Sequence, residues 1–132
     1  MNIVVVEDSL SIRAHLRSLI SEVASADVVA EAECELEAIN QIIEHNPDVV
    51  VLDINLKNGT GIEVLRYIRE KSYGGKVIVM TNYAFPQYEK KCMELGADYF
   101  LDKCKDIYQL SGLLGDIAKH SDEMERQNVK HG

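Results

Sequence analysis

Five polar residues stand just past short apolar runs in this 132-residue chain. Glu7 and Asp8 follow Ile3 to Val6, Asp53 follows Val49 to Leu52, Thr81 follows Val77 to Met80, and Lys103 comes shortly after Tyr99 to Leu101. Each alone has an ordinary reading: Asp8 or Ser9 as a helix cap, Asp53 ordering a loop, Thr81 as a strand residue, Lys103 as a solvated lysine. Brought to one rim they make something else, because three carboxylates sum to −3 and need counterions. A divalent cation plus the Lys103 ammonium restores neutrality. All-oxygen ligands with open positions suit Mg2+, which keeps waters and takes a phosphate oxygen, so the chemistry indicated is phosphoryl chemistry.

Whether these groups share a rim depends on the elements between them. The apolar runs, with a fifth at Val28 to Ala30, are short, continuous and rich in Val and Ile, as expected of strands buried on both faces. Stripes of helical spacing lie between them: Ile12, Leu16, Leu19, Ile20 and Val23; Leu36, Ile39, Ile42 and Ile43; Ile62, Leu65 and Ile68; a weaker one over Pro86 to Leu95; and Ile107, Leu110, Leu113, Leu114 and Ile117. Asn46-Pro47, Gly74-Gly75 and Gly96 punctuate the units. Five strand–helix units in strict alternation predict an α/β fold, a doubly wound five-stranded parallel sheet with helices on both faces and right-handed crossovers. In such sheets ligands bind beyond the carboxyl ends of the strands, where the five polar residues stand.

Length and composition predict one domain over residues 1–120, followed by a polar tail over 121–132 that extends the last helix or frays. A net charge of −8 repels nucleic-acid phosphates and anionic membranes, so no direct nucleic-acid partner is expected. No apolar run approaches the length of a membrane span, and no basic leader precedes the first strand, which predicts a cytoplasmic protein. Cys34, Cys92 and Cys104 form no CxxC pair and are expected to be free thiols. The histidines, His15, His45, His120 and His131, show no ligand spacing.

The strings VVVEDS, VVVLDINLKNGTGIEVL, VIVMT and GADYFLDK, in that order, resemble the receiver domain of two-component response regulators, over about Asn2 to His120. The resemblance implies a flavodoxin-like strand order, 2-1-3-4-5. It implies that Asp53 is the phosphoacceptor, taking a phosphoryl group from a histidine kinase or histidine phosphotransfer protein. Mg2+ would be bound by Asp8 directly, by Glu7 through water, by Asp53 and by the main-chain carbonyl of Asn55. Thr81 and Lys103 would bind phosphoryl oxygens, and movement of Thr81 would make room for Phe100, the switch aromatic. Catalysis is then confined to the chain's own phosphorylation and dephosphorylation, with output through an unidentified protein target. The face over Pro86 to Leu95 and Ile107 to Ile117 is the expected contact, and a homodimer through the last helix stays open. Two other readings compete. A phosphatase-like enzyme would want an acid two residues after Asp53, where Asn55 stands; a degenerate receiver acting as a binding or dimerising module would not need the full set.

Several positions depart from the receiver pattern. Lys103 is followed by Cys104 rather than proline, which predicts a trans bond, since a cis bond without proline costs about 3 kcal/mol. Asn82 and Tyr83 follow Thr81 and are expected to crowd the phosphoryl group; with Asn55 they predict an unusual phosphate lifetime. Lys57 stands where proline is common, which predicts a looser loop after Asp53.

Overall fold

Ile3 and Val5 pack on one side of a central sheet and Val4 and Val6 on the other, and helices cover both sides. The computed structural model describes the backbone of residues 1–131 and the side chains of residues 1–124. Its elements are β1 (Asn2–Val6), α1 (Leu10–Ser21), β2 (Asp27–Ala32), α2 (Glu35–His45), β3 (Val49–Leu52), α3 (Gly61–Glu70), β4 (Lys76–Thr81), α4 (Pro86–Glu94), β5 (Tyr99–Asp102), α5 (Lys103–Asp106), a 3-10 turn at Ile107–Gln109, and α6 (Leu110–His131). The strands are all parallel in the order β2-β1-β3-β4-β5, the flavodoxin-like arrangement expected.

Strand parity divides the core. Val4, Val6, Val50, Leu52, Val77 and Val79 face α2, α3 and α4 through Ala38, Ile42, Val64, Leu65, Ile68 and Cys92. Ile3, Val5, Val49, Val51, Ile78 and Met80 face α1 and α6 through Leu16, Ile20, Leu110, Leu114 and Ile117. The central strands β1, β3 and β4 are therefore buried on both faces, whereas the edge strands β2 and β5 are only partly covered.

Helix ends follow their sequence cues. Ser9 Oγ accepts the Ile12 N–H and Thr60 Oγ1 accepts the Glu63 N–H, capping α1 and α3. Asn46 ends α2 at φ 41 and Gly96 follows α4 at φ 102, both left-handed. Arg69 pins the opposite end of the sheet, donating to the carbonyls of Tyr73, Gly75 and Gly96 and to Asp98.

Two expectations are corrected. In α2 the buried line is Ala38 and Ile42, while Leu36 and Ile43 are exposed. Ala38 is small enough to bring the helix onto the sheet, which turns the larger residues to either side outward. The last helical stripe is also not one helix. Asp106 Oδ2 accepts the Asp102 N–H, and the chain passes through α5 and the 3-10 turn before α6 begins. The polar segment continues α6 through His131; Gly132 lies outside the described residues. Among the described residues no helix is long and apolar enough to cross a membrane.

Candidate functional site

Register places the acidic residues side by side. Val6 pairs with Leu52, so the next residues along, Glu7 and Asp53, leave adjacent strands together. The Asp53 N–H bonds the Val6 carbonyl at 3.0 Å and the Glu7 N–H bonds Ala32 at 2.9 Å, which holds both main chains. Glu7, Asp8 and Asp53 each bring a carboxylate oxygen to within 4.8 Å of the others, the one such group of metal-ligating side chains found among the described residues. Glu7 and Asp53 are buried and Asp8 is exposed, leaving the cluster open on one side.

Thr81 pairs with Asp102 across β4 and β5, so Lys103 leaves β5 next to the end of β4. The Lys103 ammonium donates to Asp53 Oδ2 at 2.9 Å and to Glu7 Oε2. Asp53 Oδ1 accepts the Asn55 N–H at 3.3 Å, and Glu7 Oε1 accepts the Ser9 N–H at 3.2 Å. Four of the five strands thus bring their polar groups to one rim, as the spacing predicts. The donor set is all oxygen, carries −3 when all three carboxyls are ionised, and has one ammonium against it, which fits a hard divalent ion such as Mg2+.

Burial pushes the Glu7 carboxyl up to about 7; the Lys103 hydrogen bond lowers it and the Asp53 charge raises it. For Lys103 burial acts downward, but the two carboxylates outweigh it and hold the ammonium above its ordinary value. A carboxyl that binds its proton more tightly in the folded state stabilises the fold below its ordinary 4.5, and that contribution is lost as pH rises through about 7. The Lys103 contribution is complete below 10.5, so it does not change in this window. Without divalent ions, the unfolding free energy in urea is expected to fall between roughly pH 5 and pH 7.5, and Glu7→Gln to remove most of that slope. A slope that survives the substitution contradicts this assignment.

The departures from the receiver pattern have physical consequences. The Lys103–Cys104 bond is trans, and the Cys104 N–H, which a proline would lack, donates to Asp102 Oδ1 at 2.8 Å and starts α5. Lys57 does not act as expected. Its N–H donates to the Glu33 carbonyl, the Glu35 N–H to Asn58, and the Thr60 N–H to Glu35, so the loop is laced to the β2–α2 turn. A proline at position 57 could not make the first of these bonds. The Thr81 oxygen accepts the Tyr83 N–H at 3.1 Å, which leaves the hydroxyl proton to be given elsewhere. Asn82 and Tyr83 are exposed, and the Tyr83 ring leans on Phe85 with centroids 6.4 Å apart. Phe100 is partly buried against the α2–α3–α4 layer. All three cysteines are free, and burial pushes Cys92 up to about 11.

Two residues beside this cluster are given no role by the motifs, although Gly61 lies within the second of them. Gly61 opens α3 directly against the Asp53 main chain: a Cβ there would lie 2.0 Å from the Asp53 carbonyl oxygen. Arg13 is buried and donates to the Glu7 carbonyl at 2.8 Å. Its spacing offered a signal, since Arg13, Leu16 and Ile20 fall on one line of α1.

Similarity to known proteins agrees with this geometry. The family model of the response regulator receiver domain matches residues 3–114. The chain is 32% identical over 101 residues to the chemotaxis protein CheY of Halobacterium salinarum, covering 76% of this chain and 82% of that protein. It is 28% identical over 102 residues to the sensory transduction protein LytT of Bacillus anthracis, covering 76% of this chain and 41% of LytT. Among solved structures, a DNA-binding response regulator of the LuxR family from Staphylococcus aureus superposes with a TM-score of 0.81 at 31% identity, covering 88% of this chain and 97% of that one. The chain thus spans about two fifths of LytT and most of CheY. Fold, rim and family match together place this chain in the response regulator receiver family.

Proposed function

We propose that Asp53 is the phosphoacceptor of this receiver and that Glu7, Asp8, Asp53 and the Asn55 carbonyl hold Mg2+ beside it. Receivers take a phosphoryl group in two-component signalling and catalyse only their own phosphorylation and dephosphorylation. The donor is accordingly a histidine kinase or histidine phosphotransfer protein. One observation carries the assignment: three carboxylates from two strand ends meet within 4.8 Å while one ammonium rests on two of them, Glu7 and Asp53.

The division of labour follows from position. Asp53 Oδ2 is the oxygen that Lys103 holds, and Oδ1 is fixed by the Asn55 N–H, so the nucleophile is oriented before a donor arrives. A bound Mg2+ supplies positive charge against the equatorial oxygens of the transferring group. Lys103 offers its ammonium to the same oxygens, and Thr81 offers its hydroxyl proton. When Thr81 turns to do so, its bond to the Tyr83 N–H is disturbed, which couples the site to the β4–α4 loop. That loop leads into an exposed aromatic row, Tyr83, Phe85 and Tyr88, with neighbouring centroids 6.4 and 5.9 Å apart. With Phe100 as the switch ring, this is the face proposed to meet a protein target.

Incubation with Mg2+ and acetyl phosphate tests the reading by intact mass. One phosphoryl group is expected on the wild type and none on Asp53→Asn, with loss of at least about a hundredfold in labelling. Labelling that persists in Asp53→Asn overturns the assignment. A folded wild type that never labels would instead favour a phosphorylation-independent binding module.

A further inference from the structure

A buried cation lies just outside the acidic cluster. Arg13 is 8% exposed, although arginines are rarely buried without partners. Its Nη1 donates to the Glu7 carbonyl at 2.8 Å, its Nη2 to Glu33 Oε1 at 3.2 Å, and its Nε lies 3.4 Å from Glu31 Oε1. Glu31 also pairs with Arg17 at 3.2 Å, and the second oxygen of Glu33 faces Lys57 at 3.9 Å. These contacts reach the main chain of Glu7 and the end of β2, not the carboxylates that would hold a metal.

The arrangement clamps one peptide from both sides. The Glu7 N–H is held by Ala32 and the Glu7 carbonyl by Arg13. Because the peptide unit is planar, fixing that carbonyl fixes the plane through which the chain passes to Asp8. Glu33 extends the clamp to Lys57 in the loop that follows Asp53 and Asn55. Arg13 and Glu33 therefore link the segment carrying Glu7 and Asp8 to the segment carrying Asp53.

Resting on the functional reading above, we propose that Arg13 is a positioning residue for the divalent ion, acting through the Glu7 carbonyl to set the place of the Asp8 carboxylate. Groups that orient metal ligands from behind commonly govern affinity by ten- to a hundredfold. The guanidinium suits this role because its donors leave in a fixed plane, so one side chain can hold a carbonyl and two carboxylates at set angles.

Calorimetric titration of the intact protein with Mg2+ tests this on Arg13→Met, Arg13→Lys, Glu33→Gln and Arg17→Met. The dissociation constant is expected to rise about tenfold or more in Arg13→Met. Smaller rises are expected in Arg13→Lys and Glu33→Gln, and none in Arg17→Met, which shares Glu31 but not the Glu7 carbonyl. The Mg2+ concentration giving half-maximal phosphorylation should rise by the same factor, while the rate at saturating Mg2+ stays within about twofold. A merely structural role would lower the urea midpoint and leave the Mg2+ constant of the folded protein unchanged. That result, in whichever of the variants fold, overturns the proposal; should Arg13→Met not fold, Arg13→Lys and Glu33→Gln decide it. Failure of the wild type itself to bind Mg2+ overturns the functional reading, whereas wild-type binding with unchanged constants in the variants overturns only the role of Arg13.

Discussion

Gly61→Ala is expected to slow phosphorylation of Asp53 about a hundredfold, although residue 61 carries no chemistry of its own. The added methyl would lie 2.0 Å from the Asp53 carbonyl oxygen and 3.0 Å from the Ile54 Cα. Neither side can yield cheaply. The Asp53 N–H is bonded to Val6, and the Gly61 N–H to the Ile54 carbonyl at 2.7 Å, so the start of α3 or the acceptor peptide itself must shift. Overpacking of this kind costs about 1–3 kcal/mol of stability. A misplacement of about 1 Å at a reacting group costs on the order of a hundredfold in rate. Single-turnover labelling with phosphoramidate, alongside urea unfolding, measures both. A folded Gly61→Ala protein that labels at the wild-type rate would show that the close approach of α3 does not position the acceptor.

Lys103→Met is expected to have a double effect whose halves separate with Mg2+. Lys103 is 7% exposed and its ammonium serves two buried carboxylates. Removing one member of a buried ion pair leaves uncompensated charge and costs about 3 kcal/mol or more. Without divalent ions the variant should therefore unfold at lower urea, more so at pH 8 than at pH 6, because Glu7 can take up a proton at the lower pH. Added Mg2+ supplies positive charge to the same oxygens and should restore most of the loss. Phosphorylation should stay about a hundredfold slow even then, since the fixed donor to the transferring oxygens is gone. Lys103→Arg should not rescue it, because a planar fork does not replace a compact ammonium between two carboxylates. Equal stability of wild type and Lys103→Met without metal, or wild-type phosphorylation in the variant, would remove Lys103 from this role.

Glu7, Asp8, Asp53, Thr81 and Lys103 were legible because each stands at the end of a continuous apolar run, and a parallel sheet delivers all such ends to one rim. Ile3 to Val6 and Val49 to Leu52 could be placed because runs so short, unbroken and rich in Val and Ile suit strands covered on both faces. The outward turn of Leu36 and Ile43 was not legible, because Ala38 reads as a neutral helix residue until the sheet it touches is present. Lys57 misled for a related reason: its N–H finds the Glu33 carbonyl, a partner 24 positions earlier that no local rule supplies. Gly61 and Arg13 depend in the same way on main-chain atoms of Asp53 and Glu7. A motif names the side chains that do chemistry, whereas the atoms holding those side chains still belong to other strands.

Soaking crystals of the protein in Mn2+, a scattering stand-in for Mg2+, gives the most direct test of the shared metal. One anomalous peak is expected, bonded to carboxylate oxygens of both Asp8 and Asp53, with the Asn55 carbonyl beside it and the Lys103 ammonium still on the acceptor. A peak at some other part of the molecule, or an Asp8 carboxylate turned away from Asp53 at saturating ion, would contradict it.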